Sequence, residues 1–238
     1  MTGPDLSRQY SLDGVVLPAV VRRLGGPSPE LAWRNQADGL TFRVASGYLK
    51  WNPAGSGIDL ERETVRLRWL QGRHPVPQVL DAGEEDGGQW LLTEAIDGRS
   101  AVDPQWIARP ETAVRAIARG LRALHDLPVQ ELPDELRHDS WFHRSLPGAT
   151  VPALEDQVLV HGDACAPNTL LDDRGEWCGT VDVGDLGLGD RWADLAVAAM
   201  SLGWNYGEGF EELLLEEYGA TPDEARSAYF RALWSAES

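Results

Sequence analysis

Short apolar runs, set off by Gly, Asp and Pro, occupy the first hundred positions, and helical spacing takes over after them. Residues 16–25 predict a short entry helix, ended by Gly25-Gly26. Three strand-like runs follow, Glu30 to Asn35, Leu40 to Ala45 and Gly47 to Trp51. The turn formers Gln36–Gly39 and Ser46-Gly47 join them into a meander. A helix is expected from Ile58 to Gln71, then strands over Gln78–Ala82 and Gln89–Ala95. The pattern breaks at Ile96-Asp97-Gly98, which divides the chain into regions 1–95 and 96–238. A further helix is expected over Glu111–Leu127, with Val114, Ile117, Leu121 and Leu124 inward and Arg115, Arg119 and Arg122 on a solvated face. Residues 128–157 have weak periodicity. From Arg191 on, the chain reads as helical, with breaks at Gly203–Gly209 and near Gly219–Pro222.

On the first long helix, Leu60, Glu63, Leu67 and Leu70 fall at i, i+3, i+7 and i+10, so Glu63 lies within an apolar stripe. A carboxylate there needs a partner. Glu61, beside a second stripe of Ile58, Val65 and Trp69, is the competing candidate. Among 21 basic residues, Lys50 is the one lysine, and it falls on the third strand of the meander. A chain that otherwise uses arginine keeps a lysine where a compact ammonium is needed.

With 238 residues, 42% hydrophobic and 25% charged, the chain has the makeup of a globular protein with a sizeable core. No apolar run is long enough to span a bilayer, and the first residues lack the pattern of a signal peptide. Cys165 and Cys178 make neither a disulfide framework nor a zinc site, and a cytoplasmic location is expected. A formal net charge of −17 argues against nucleic acid; it serves solubility and permits a cationic small-molecule substrate.

The chemistry is concentrated in Leu159-Val-His-Gly-Asp-Ala-Cys-Ala-Pro-Asn168 and in Gly179-Thr-Val-Asp-Val-Gly-Asp-Leu-Gly-Leu-Gly-Asp-Arg-Trp-Ala-Asp194. The apolar residues before His161 and before Asp182 read as short strands that deliver Asp163, Asn168 and Asp182 to one end of a sheet. A carboxylate able to take or orient a proton, with an Asn and an Asp able to ligate magnesium, is what metal-assisted phosphoryl transfer requires. A strand lysine paired with a helix carboxylate can hold nucleotide phosphates. His161 is expected to buttress the loop, Cys165 to pack, and Asp194 to brace the loop from the next helix.

These two segments resemble the aminoglycoside phosphotransferases, and most of all their 3'-phosphotransferase (kanamycin and neomycin kinase) branch. The resemblance extends to Tyr48-Leu-Lys50, Leu60-Glu-Arg-Glu63, Trp69-Leu-Gln-Gly72, Val76-Pro-Gln-Val-Leu80 and Leu92-Thr-Glu-Ala95, covering most of residues 30–235. It implies an α+β, two-lobed, protein-kinase-like fold, with an antiparallel sheet plus helix in the N-terminal nucleotide-binding lobe. The C-terminal catalytic and substrate-binding lobe is then mainly helical. By this similarity Asp163 is the catalytic aspartate, Asn168 and Asp182 hold Mg2+, and Lys50 pairs with Glu63 rather than Glu61. Tyr48 lies against the base of ATP, and the backbone of Thr93, Glu94 and Ala95 meets its edge. The turn at Gln36–Gly39 covers the phosphates without being rich in glycine.

The chain departs from that branch on the acceptor side. The stretch between Leu127-Pro-Val129 and Leu159-Val-His161 is short, Trp204-Asn205 stands where an acidic pair is usual, and the chain ends Trp234-Ser-Ala-Glu237-Ser238. Asp185 replaces a common arginine, and Glu155, Asp156, Glu208 and Glu237 are the acidic residues placed to compensate. An ATP-dependent kinase of an aminoglycoside is therefore expected, with two alternatives. One is a same-fold kinase of another amino- or sugar-containing metabolite or antibiotic; the other is a nucleotide-binding pseudokinase regulator, against which the complete set Lys50, Glu63, Asp163, Asn168 and Asp182 argues.

Overall fold

The computed structural model describes residues 16–26, 28–35, 37–85, 87–137, 140–153 and 157–237. The chain forms two compact units, and residues Gly72–Pro75 belong with the one that begins at Asp97.

The first unit is built on a five-stranded antiparallel sheet in the order β1-β2-β3-β5-β4. Its strands are β1 (Glu30–Arg34), β2 (Leu40–Val44), β3 (Gly47–Pro53), β4 (Val79–Glu85) and β5 (Gly88–Thr93). Alternation along the strands sends Phe42, Leu49, Trp90 and Leu92 to one face, where they pack with Val20 and Val21 of α1 (Ala19–Leu24). The opposite face carries Lys50, paired in register with Thr41 and Leu91. There α2 (Leu60–Leu70) packs with Leu60, Glu63, Leu67 and Leu70 inward. Asp59 caps that helix by accepting from the N–H groups of Glu61 and Arg62 at 3.0 and 3.1 Å. Ile58 and Val65, two members of the second stripe, are exposed.

The second unit is mainly helical. It contains α3 (Pro104–Ile107), α4 (Pro110–His125), α5 (Trp192–Tyr206), α6 (Glu211–Tyr218) and α7 (Glu224–Glu237). Two small antiparallel sheets accompany them. One pairs β7 (Gln157–Val160) with β10 (Gly187–Asp190), and the other has the order β6 (Arg99–Ser100), β8 (Thr169–Leu171), β9 (Trp177–Thr180). The expectation of one sheet delivering all three polar groups is thus corrected. The strands before His161 and Asp182 are too short to form a common sheet, and each finds its partner in a local hairpin or return strand. Among the described residues of 128–153 the regular structure is single 3-10 turns, at Val129–Glu131, Asp134–Leu136 and Trp141–His143.

The core of this unit lies between α4, whose Val114, Ile117, Leu121 and Leu124 are buried, and α5, which is buried nearly all round. The arginine face of α4 is not merely solvated. Arg115 and Arg119 bind Glu217 of α6 at 2.5 and 2.8 Å, and Arg122 donates to the Tyr218 carbonyl at 2.6 Å. A neighbouring helix presents its acidic end to that face, which helical periodicity alone does not reveal.

Candidate active site

Two groups of polar residues stand out, one in each unit. In the first unit, Lys50 Nζ lies 2.7 and 2.9 Å from the two carboxylate oxygens of Glu63. Glu63 is buried and Lys50 half-buried, whereas Glu61 is exposed, so the pairing goes to the carboxylate on the apolar stripe. Tyr48 lies two residues before Lys50 on the same face of β3, opposite Thr93 of β5. Gly47 precedes it at φ +144°, and a Cβ there would stand 2.0 Å from the Thr93 carbonyl. Beyond Thr93, Glu94 and Ala95 are exposed residues. The Glu94 N–H is already given to the Gln78 carbonyl at 2.9 Å, so of these three residues that donor is spent within the sheet.

The β1–β2 turn owes its shape to a side chain. Asn35 Oδ1 accepts from the N–H groups of Ala37 and Gly39 at 3.0 and 2.7 Å, and Asn35 Nδ2 donates to Asn52 at 3.0 Å. Asp38 takes a left-handed conformation in it, at φ +61°. Gln36 lies outside the described residues.

In the second unit the loop after β7 carries Asp163 and Asn168, and the segment after β9 carries Asp182. Asn168 Nδ2 donates to both the backbone oxygen and Oδ2 of Asp163, each at 2.9 Å. The Val181 N–H donates to the Asn168 carbonyl at 3.0 Å, and His161 Nε2 lies 3.0 Å from the Val181 carbonyl. The Asp163 N–H donates to His161 Nδ1 at 3.1 Å, so the imidazole accepts on one nitrogen and donates on the other. His161 thus ties the two segments together rather than serving as a free base. Asp182 sits at φ +62°, a left-handed conformation that Asp tolerates better than most side chains and that costs about 1 kcal/mol.

Asp194 holds the loop from below. Fully buried in the first turn of α5, its carboxylate accepts from the N–H groups of His161 at 2.6 Å and Gly162 at 3.0 Å. Gly162 has φ +86°, and a Cβ on it would come within 2.6 Å of Asp185. Trp141 Nε1 donates to the Gly162 carbonyl at 2.6 Å, and the Ala166 N–H to Ser201 Oγ at 2.8 Å. Three side chains from distant parts of the chain, through four hydrogen bonds, thereby fix the backbone around Asp163.

Electrostatics marks Asp163 as unusual. Burial first, and then the carboxylate of Asp182, push its pKa up, while Cys165, His161 and Asn168 pull it back. Two carboxylates, with an Asn amide oxygen whose nitrogen is engaged, are a donor set suited to a hard cation. Among the described residues no three His, Cys, Asp or Glu side chains form a closed metal site. Burial, with repulsion from Asp163, pushes the Cys165 thiol far up, so it stays protonated and packs.

Trp204 and Asn205 lie in the last turn of α5. Asn205 Nδ2 donates to the carbonyl of Ser201 at 2.8 Å, and the rings of Trp204 and Trp234 lie 5.6 Å apart at 37°. Glu208 is exposed, as is Asp185. Glu155, Asp156 and the Glu237 side chain lie outside the described residues. Sequence reasoning missed His125, Tyr218 and Ser201, whose partners come from remote segments and leave no local signal.

An antiparallel sheet with a buried lysine–glutamate pair, and a helical unit carrying an Asp–Asn–Asp set, define a phosphotransferase of protein-kinase-like fold. The chain belongs to the APH phosphotransferase enzyme family, whose model matches residues 18–151 and 135–230. It is 36% identical to an aminoglycoside 3'-phosphotransferase of Streptomyces ribosidificus, with 90% of each chain covered. It is also 36% identical to that of Streptomyces fradiae, over 76% of this chain and 81% of the relative. Among solved structures it is similar to an aminoglycoside-3'-phosphotransferase of type VIII, with TM-score 0.72 and 26% identity over 90% of this chain and 95% of that one. It is similar too to the aminoglycoside phosphotransferase APH(3'')-Id from Streptomyces rimosus in complex with ADP and streptomycin. There the TM-score is 0.69 at 26% identity, over 90% and 94% of the two chains. Among the described residues no helix is long and apolar enough to cross a membrane.

Proposed function

We propose that this protein transfers the γ-phosphoryl group of ATP to a hydroxyl of an aminoglycoside, with magnesium held by Asn168 and Asp182. The observation that carries this reading is the tie between Asp163 and Asn168 on a loop braced by the buried Asp194. Phosphoryl transfer depends on positioning more than on base strength, and this loop is positioned from every side. Asp163 accepts or orients the proton of the acceptor hydroxyl. Lys50, fixed by Glu63, binds nucleotide phosphate oxygens as a point charge. Tyr48 and the backbone of Thr93, Glu94 and Ala95 receive the base. Magnesium, when bound, neutralises charge on the phosphates. Division of the nucleotide and catalytic roles between 1–95 and 96–238 is part of this proposal, as is the aminoglycoside substrate carried over from the relatives' names to this chain.

A coupled ADP-release assay across kanamycin- and neomycin-type compounds, with streptomycin alongside, tests it. Acceptor-stimulated turnover is expected, and Asp163→Ala is expected to lower kcat by about a thousandfold while ATP binding persists. Unchanged turnover in that variant rules the mechanism out. A second reading, a kinase of another amine- or sugar-bearing acceptor, is favoured by one observation. Trp204-Asn205 stands where the branch usually has an acidic pair, and the Trp204 ring lies 5.6 Å from that of Trp234. Stimulation by such an acceptor but by none of the aminoglycosides decides for it.

A further inference from the structure

Asp194 has a third partner besides the two loop N–H groups. His125 Nε2, at the end of α4, lies 2.9 Å from Asp194 Oδ2, and His125 Nδ1 lies 2.8 Å from the hydroxyl of Tyr218 at the end of α6. All three side chains are buried. A carboxylate accepts, so Nε2 carries a proton toward Asp194, and Nδ1 is placed to accept from the tyrosine hydroxyl. Burial pushes the Tyr218 phenol up to about 12, which keeps it a donor.

The far end of this chain of bonds is itself clamped. Arg122 donates to the Tyr218 carbonyl at 2.6 Å, and Gly219 ends α6 in a left-handed cap at φ +83°. Glu217, one residue earlier, is gripped by Arg115 and Arg119. The Tyr218 hydroxyl therefore has a fixed place from which to hold one tautomer and one ring orientation of His125.

We propose that Tyr218 is a positioning residue for the transfer loop, setting the His161–Gly162 backbone, and with it Asp163, through His125 and Asp194. Removing its hydroxyl leaves His125 Nδ1 buried without a donor. The ring then turns or takes a second proton, and either change alters its bond to the carboxylate that carries the loop. The catalytic part of this inference rests on Asp163 serving as the group that orients the acceptor.

Tyr218→Phe tests it. The expected result is a fall in kcat of about five- to tenfold with the KM for ATP unchanged. Amide exchange in a peptide spanning 157–163 is expected to quicken by a similar factor. In a His125→Gln background the same change should add nothing. Unaltered kcat and exchange, or a loss that adds in full to that of His125→Gln, overturns the proposal. If the wild-type protein phosphorylates no acceptor, the proposed function fails, and the exchange measurements still decide the relay. If Tyr218→Phe does not fold, 15N spectra of the histidine rings of the wild-type protein decide. His125 as the Nε2–H tautomer with Nδ1 hydrogen-bonded supports the relay, and the Nδ1–H tautomer overturns it.

Discussion

Glu63 is only 5% exposed, and a carboxylate that deep is tolerated because Lys50 reaches both of its oxygens. Breaking such a pair from one side is more costly than replacing both partners. Lys50→Met is accordingly expected to lower stability by about 3 kcal/mol. The double change Lys50→Met/Glu63→Leu should recover most of that loss in thermal melts, while ATP turnover stays abolished in both proteins. His74 is a second buried group with a measurable consequence. Burial first, then repulsion from His161 and His125, hold its pKa at about 3, and its Nε2 lies 3.0 Å from Thr180 Oγ1. The unfolded chain takes up a proton there below about pH 6.5, whereas the folded protein does not. Its contribution to stability is therefore complete above pH 6.5 and is lost as the pH falls towards 3. Between pH 7 and pH 5 the wild-type protein should lose about 2 kcal/mol more than His74→Gln in denaturant melts. At this scale the sequence was informative wherever a polar residue sat inside an apolar stripe, as Glu63 does. It was silent about His74, whose burial depends on a tertiary setting that includes Thr180 and Trp177.

Helix α2 was readable because its caps and its buried face lie within its own residues. Asp59 supplies the cap and Leu60, Glu63, Leu67 and Leu70 the face. Asp59→Ala should cost about 1 kcal/mol, and the frayed first turn should raise the KM for ATP by loosening Glu63. Asp59→Ser should restore both, as read by thermal melts and steady-state kinetics. The β1–β5 meander was equally clear, since two-residue alternation and turn residues coincide there. The short strands flanking the transfer loop were visible as strands but not as members of different sheets. Three or four residues carry no information about partners, and pairing is decided by what lies opposite. The segment 128–153 was opaque for a related reason: single 3-10 turns have no periodicity to detect. Its Trp141 nevertheless reaches the Gly162 carbonyl, a contact that only the folded chain makes evident.

The whole chain carries a formal charge of −17, which raises the local concentration of cations and opposes the approach of anions. If the acceptor is a polycationic aminoglycoside, its kcat/KM should fall about tenfold between low salt and 0.5 M salt, with kcat nearly constant. Stopped-flow or steady-state titrations over that range check this, and an uncharged acceptor should show no such slope. The same composition bears on Lys50 in a different way. All the other basic side chains are arginines, so the ammonium paired with Glu63 is the one side-chain amine that the chain offers to an acylating reagent. Covalent modification of this protein thus has a built-in stoichiometry: beyond the amino terminus, one label per chain reports on one position. Protection of that position by a nucleotide gives an occupancy gauge that needs no acceptor, no turnover and no engineered tag.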